Sequence, residues 1–325
     1  MVFLIESHLN LNTCMKNLLL ILVLSLLSIQ SFAGSCPDGS EPVRSISSDG
    51  TYFVFNCANS SSNSKPISVF NPVYYSGWKK FEGVAINGFK NHNFQFINDS
   101  SKSRRGKKFQ RFELCDGDCF DLGGGWSDCS YDRQRVEYLA EPFLPPKGRQ
   151  CIAFSIMLDN DFKTMSSSPT ALAQIHQRGG PSGLMEGLKS IPGVLMFKAQ
   201  DGYYDFDWFY LHGSRTDIKQ TDLKFRLLSL DEMKGKWTDI SFCLDFAKNN
   251  MSLWVDGKRK FNINQPPTGL HLPESIFFKY GIYQSFISKH SGSTPTQIVY
   301  YDEIRRGSSV EEVDFNINPN LKAID

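Results

Sequence analysis

The feature that most constrains this chain is a series of short segments rich in aromatic and β-branched residues. They are TYFVFNC (51–57), FQRFELC (109–115), QCIAFSIML (150–158), GVLMFKAQ (193–200), WTDISFCLDF (237–246), SLWVDGKRKFNI (252–263) and TQIVYYDEI (296–304). Each suits a strand better than a helix, and clusters of Gly, Pro, Asn, Asp and Ser separate them. Long amphipathic helices are scarce and no 20–50-residue repeat is present. Many short strands with turn signals read as a sandwich or barrel. The Asp256-Gly257 pair predicts a tight hairpin, because both turn positions need positive φ. A hydrophobic fraction of 41% with 13% aromatics supplies a substantial core. No domain boundary stands out, so one large sandwich is expected over 34–325.

The N-terminus reads differently. MKNLLLILVLSLLSIQSFAG carries a lysine, an apolar run and small residues around Ala33, the pattern of a secretory signal. Residues 1–33 are expected to be removed near Ala33, with Met15 a plausible true start. The mature protein would be secreted or periplasmic. No second apolar run follows, so no membrane anchor is expected, and AGSC lacks the leucine of a lipoprotein site. Of eight cysteines, Cys14 goes with the signal. In an oxidising compartment the rest should largely pair. The expected pairs are Cys36–Cys57, Cys119–Cys129 and Cys151–Cys243, leaving Cys115 odd. No paired C-x-x-C spacing supports zinc. The acidic tail from about 309 has little to bury and is expected to fray.

Charge bounds the partners. With 35 basic and 34 acidic residues the chain carries +1, which excludes a general nucleic-acid binder. One stretch departs from this balance. SKSRRGKKFQR (101–111) holds six basic residues, expected as a solvated loop or, less conservatively, a patch for a polyanion.

Four strands share a second pattern. Side chains alternate across a strand. Thus Arg111 and Glu113 share one face of RFEL, and Arg135 and Glu137 one face of RVEY. Gln174 and His176 share a face of QIH, and Lys279, Gly281 and Tyr283 a face of FFKYGIYQS. Apolar residues occupy the other side each time. Gly281 removes a side chain between Lys279 and Tyr283, which leaves room for close approach to the backbone.

In this order the motifs resemble those of β-sandwich polysaccharide lyases. Jelly-roll alginate lyases carry an Arg-x-Glu-Leu, a Gln-Ile-His and a Tyr-Phe-Lys-x-Gly-x-Tyr-x-Gln. The heparin lyase I and glucuronan lyase type is closer, through RFELCDGDCFD, CSYDRQRVEY and IVYYDEIRRGSS. Tyr138 stands where leucine is usual. The resemblance implies an all-β, concanavalin-like jelly roll of two antiparallel sheets, whose concave sheet forms a substrate cleft. It implies β-elimination on an anionic uronate polysaccharide, by a monomer that requires no cofactor.

That chemistry needs a neutralised carboxylate, a base for the C5 proton, and an acid for the departing oxygen. Gln174 and Arg135 (or Arg111) fit as donors to the carboxylate. His176 can accept a proton, and Tyr283 can donate one or, beside a cation such as Lys279, act as the base. Glu137, Gln284, Tyr204 and Trp208 are expected to bind sugar, the aromatics by stacking. Asp205 and Asp207 share a face and could hold a structural calcium. Two other readings compete. A lectin-like sandwich would have no need for His176 and Tyr283 together, and a glycoside hydrolase would need flanking carboxylates that are not evident.

Overall fold

In the computed structural model, the described residues are the strands over 43–46, 53–56, 73–75 and 80–85, and then 90–325 apart from 124–125, 142–144, 146, 167, 179–192, 215–216, 247 and 265–273. The chain divides into two compact units, 1–45 with 55–64, and 46–54 with 65–325. The sandwich belongs to the second. The signal segment, Cys36 and Cys57 lie outside the described residues. Among the described residues no helix is long and apolar enough to cross a membrane.

The strands are β1 (Val43–Ile46), β2 (Phe53–Asn56), β3 (Val73–Tyr75), β4 (Lys80–Ala85), β5 (Phe94–Asn98), β6 (Lys108–Leu114), β7 (Asp121–Gly123), β8 (Trp126–Ser127), β9 (Arg133–Glu141) and β10 (Arg149–Leu158). They continue as β11 (Thr170–Arg178), β12 (Leu195–Gln200), β13 (Tyr203–Ser214), β14 (Asp217–Ser229), β15 (Thr238–Asp245), β16 (Asn250–Val255), β17 (Lys258–Asn264), β18 (Ser275–Ser285) and β19 (Gln297–Gly307). Two antiparallel sheets form the jelly-roll sandwich. A seven-stranded sheet runs β17-β16-β15-β10-β19-β6-β5, and an eight-stranded sheet runs β14-β13-β12-β11-β18-β9-β4-β3. Consecutive strands pair locally at the β14-β13-β12-β11 and β17-β16-β15 ends. In the middle, β18 inserts between β11 and β9, and β19 between β10 and β6. Strands distant in sequence thereby become neighbours where the polar motifs lie.

Between the sheets is an aromatic core. Phe112, Tyr138, Phe154, Phe197, Tyr204, Phe206, Trp208, Phe278, Tyr280 and Tyr301 are all buried in one cluster. Tyr204 and Trp208, expected on the sugar, are therefore core residues. They alternate with Asp205 and Asp207 on β13, and their parity sends them inward. Gln284 also turns inward, where its Nε2 donates to Gln297 Oε1 at 3.0 Å.

The expected hairpin forms, with Asp256 and Gly257 at φ 48° and 71° between β16 and β17. Asp201 and Gly202, at φ 51° and 82°, make a second two-residue turn between β12 and β13. Cys151 and Cys243 lie directly opposite on β10 and β15 and are bonded, as are Cys119 and Cys129.

At the centre of the basic run, Arg104 and Arg105 are half-buried and paired within the fold. Arg104 Nη2 is 2.7 Å from Asp239, and Arg105 Nη1 is 3.7 Å from Glu303. The tail meets them there. Arg105 donates to the Leu321 carbonyl at 2.7 Å, and the Ile324 amide donates to Glu303 at 3.2 Å. Val310 and Val313 are buried, and Ser241 donates to Asp314 at 2.6 Å. The tail is thus packed rather than frayed: its valines are covered, and guanidinium groups satisfy its carbonyls.

Candidate functional site

The site is built on three adjacent strands of the eight-stranded sheet. Register sets Gln174 opposite Lys279 on the β11–β18 pair. It sets Gly281 opposite Glu137 and Tyr283 opposite Arg135 on the β18–β9 pair. Arg111 is not among them. It lies on β6 of the other sheet, paired with Glu113 at 2.8 Å, and lines a cavity of about 630 Å³ with Phe109, Trp237 and Tyr300. The two Arg-x-Glu motifs differ in sheet membership: RVEY shares the sheet of QIH and FFKYGIYQS, and RFEL does not.

Two irregularities shape this face. Register shifts between Ala171 and Ala173 against both neighbours: against β12 the extra residue is Leu172, whereas against β18 it is on β18, where Gly281 and Ile282 lie between the partners of Ala171 and Ala173; Leu172 and Ala173 both enter the core. A bulge re-aims the residues beyond it, and the extra residue of β18 lets three steps of β11, Ala171 to Gln174, match four of β18, Tyr283 to Lys279. Gly281 has φ +135°, and a Cβ there would sit 2.2 Å from the Val136 carbonyl oxygen and 2.8 Å from Glu137 Cα. The backbone that approaches Gly281 is thus that of β9. From the opposite sheet, the buried Tyr301 hydroxyl lies against the Leu172 and Gly281 carbonyls, 2.9 Å from the latter.

Glu137 is the hub, buried among three donors. Gln174 Nε2 donates to its Oε1 at 2.7 Å. Lys279 Nζ lies 3.0 Å, and Arg135 Nη1 3.7 Å, from its Oε2. Glu137, expected to bind sugar, instead holds the donors of the site in place. Asp128, missed in the sequence, completes the network. Fully buried in the loop closed by the Cys119–Cys129 disulfide, it accepts from Arg135 Nε at 2.6 Å and Nη2 at 2.7 Å. Burial opposes the charge of Arg135, but Asp128 and Glu137 outweigh it and raise the guanidinium pKa.

Tyr283 stands above this network, half-buried, with the Arg135 guanidinium 4.9 Å from its ring centroid. Burial pushes its phenol above the ordinary value, and Arg135 and then Arg133 pull against that rise. The cation beside the phenol is therefore arginine, not Lys279, which is committed to Glu137. Arg133 shares the face of Arg135 and is half-buried; among the described residues it makes no ion pair. It is the second residue missed in the sequence, although RQRVE places 133, 135 and 137 on one face.

His176 sits apart. It lies opposite Phe277, stacks on that ring at 5.4 Å, and its Nδ1 is 3.0 Å from the Gln177 carbonyl. A carbonyl only accepts, so neutral His176 carries its proton on Nδ1 and its lone pair on Nε2. At a strand rise of roughly 3.3 Å, His176 and Ala171, the residue opposite Tyr283, are roughly 16 Å apart along β11.

The expected calcium ligands are already neutralised. Lys198 pairs with buried Asp207, and Arg226 Nε lies 3.3 Å from Asp205. Exposed aromatics occur elsewhere: Tyr131 and Phe286 are solvent-exposed. They are neighbours of Asp132 and Ile287, whose backbones bond at 3.3 Å near the Tyr283 end of β18.

A family model described as polysaccharide lyase matches residues 70–305. The endo-β-1,4-glucuronan lyase of the fungus Trichoderma reesei superposes with a TM-score of 0.53 at 15% identity, covering 76% of this chain and 98% of that one. An alginate lyase of Pseudomonas aeruginosa superposes with a TM-score of 0.46 at 11% identity, covering 74% of this chain and 98% of that one. No curated protein matches the sequence.

Proposed function

This chain belongs to the polysaccharide lyase family, and from that premise we propose that it is a secreted enzyme that cleaves a uronate polysaccharide by β-elimination, with Tyr283 as the proton-handling group. The observation that carries the reading is the neighbourhood of Tyr283. A half-buried phenol stands beside Arg135, whose charge is cancelled, and Arg133, whose charge is not.

The charge count assigns the roles. Asp128 and Glu137 answer Arg135 and Lys279, so neither cation has surplus charge for a substrate. Arg133 does, and it is the donor proposed to neutralise the uronate carboxylate next to C5. Arg135 is then a positioning residue beneath the ring. Ionised Tyr283 takes the C5 proton; the C–H electron pair becomes the C4–C5 double bond; the C4–O bond breaks with its electrons on the departing oxygen. The proton held by Tyr283 passes to that oxygen and the phenolate is restored. One residue serves as base and then acid, because His176 stands too far along the strand to share the same bond. His176, with Phe286 and Tyr131, is assigned to neighbouring sugar units.

The test is ultraviolet absorbance of the purified mature protein with glucuronan, alginate and heparin-like chains. A rise from the unsaturated uronate product supports elimination and names the polymer. Cleavage yielding saturated ends would overturn it.

A further inference from the structure

The odd cysteine has company. Cys115, the one free thiol among the described cysteines, follows β6 and is half-buried. Its Sγ, a His92 ring nitrogen and an Asp118 carboxylate oxygen all lie within 4.8 Å of one another. None belongs to the polar face of the eight-stranded sheet. His92 Nε2 is 2.8 Å from Asp118 Oδ2, and Cys115 Sγ is 3.8 Å from Glu113 Oε1. From these donors the geometry points to a zinc-class site, with His92, Cys115 and Asp118 as ligands and Glu113 at the fourth position.

The dimensions fit. Zinc bonds of roughly 2.0–2.3 Å in a tetrahedron put donor atoms roughly 3.5 Å apart. The His92–Asp118 pair at 2.8 Å is tighter than that spacing, the Cys115–Glu113 pair at 3.8 Å is close to it, and the His92, Cys115 and Asp118 donor atoms all lie within 4.8 Å of one another. A set of imidazole, thiolate and carboxylate suits zinc and is poorly matched to calcium or magnesium, which take oxygen. Supporting contacts are in place around Asp118. The Cys115 amide donates to Oδ2 at 2.8 Å and Asn93 Nδ2 to the same atom at 2.8 Å. Lys90 Nζ holds the other oxygen, Oδ1, at 2.6 Å. Such outer contacts orient a ligating carboxylate. Zinc would replace the His92–Asp118 hydrogen bond and displace the thiol proton, while Lys90, whose side chain is more than half exposed, can stay on Oδ1 or swing to solvent. A cysteine–histidine nucleophile is the competing reading of these residues. It needs the thiol hydrogen-bonded to the imidazole, whereas His92 Nε2 is turned to Asp118 Oδ2 at 2.8 Å and Cys115 Sγ lies against Glu113 Oε1.

The position gives the site a role. Residues 115–132 carry the chain from β6 of one sheet to β9 of the other, and the same segment contains Asp128 and the Cys119–Cys129 disulfide. A metal at its start would fix the path of the loop that holds Arg135.

Cobalt(II) added to the purified, metal-stripped full chain tests this. The expected result is a near-ultraviolet thiolate-to-cobalt band and tetrahedral visible bands, saturating at one equivalent. Cys115→Ser should remove the charge-transfer band, and His92→Ala should weaken binding at least tenfold. Alkylation of Cys115, read by peptide mapping in the unmutated protein, should be blocked by one equivalent of zinc. Absence of the thiolate band together with unchanged alkylation in zinc overturns the assignment.

Discussion

Replacing Asp128 by Asn would remove the carboxylate that grips Arg135 and leave the geometry nearly unchanged. Asp128 is fully buried and Arg135 is 7% exposed, so water cannot replace the lost partner. Breaking a buried pair by removing one member costs about 3–5 kcal/mol. Glu137 Oε2 remains 3.7 Å from Nη1, which favours the lower figure, about 3 kcal/mol. The new amide also turns an N–H toward a guanidinium that only donates. For a domain of this size each kcal/mol moves Tm by about 2–4 °C, so Asp128→Asn should melt about 6–12 °C lower in differential scanning calorimetry. The double variant Asp128→Asn with Arg135→Gln should recover at least half of that, since no charge is then left unpaired. Turnover should fall with KM little changed, because Arg135 is placed beneath Tyr283 and not on the substrate. A single variant melting within about 2 °C of the parent would refute the claim that Asp128 neutralises a buried cation.

Tyr283→Phe should retain polymer binding and lose about 10²–10⁴-fold in kcat. Because burial raises its pKa, kcat of the parent should climb with pH on the alkaline side; a profile that levels off above about pH 6.5, the ordinary imidazole value, would transfer the base role to His176. Arg133→Ala should raise KM for the anionic polymer at least tenfold, and unchanged KM would return carboxylate recognition to another donor. Gly281→Ala should yield insoluble or inactive protein, since its Cβ would overlap the Val136 carbonyl; soluble, active protein would disprove the close β9 approach. Burial, and then Glu303, push the Asp302 carboxyl up to about 7. Its folded pKa exceeds the unfolded value of about 3.9, so the folded state binds the extra proton and this group's stabilising effect declines as pH rises from about 4 to 7. Melting temperatures across that window should show a smaller decline in Asp302→Asn than in the parent.

Period-two alternation told which residues share a face of one strand, and it did so correctly for 135/137, 174/176 and 279/283. Turn chemistry located Asp256-Gly257. Neither says which sheet a strand joins, so RFEL and RVEY looked equivalent until their neighbours were known. Nor does parity say which face is inward: in DGYYDFDWFYLHG both faces carry aromatics or acids, and Tyr204 and Trp208 proved to be the buried set. The bulges at Leu172 and Gly281 are invisible to a count of two, because they are set by the pairing of β11 with its neighbours and by Tyr301, which meets both carbonyls from across the sandwich. Tail packing was missed because composition registers the acids of 309–325 and not the guanidinium groups that wait for its carbonyls.

Charge neutrality decides how the site has to be read. A list of polar residues would credit Arg135, Lys279 and Gln174 with binding an anion, since each is a donor on the right face. Each, however, already faces Glu137, and Arg135 faces Asp128 as well. Committed donors of this kind give rigidity, which a transition-state site needs, and little net attraction for a uronate. In the proposed function, attraction comes from a cation the fold has not answered, and among the described residues of this face that is Arg133. The five buried residues Asp128, Arg135, Glu137, Gln174 and Lys279 then hold Tyr283 and the strand backbones at fixed spacing, and the proposed function leaves binding and proton transfer to the half-exposed residues above them.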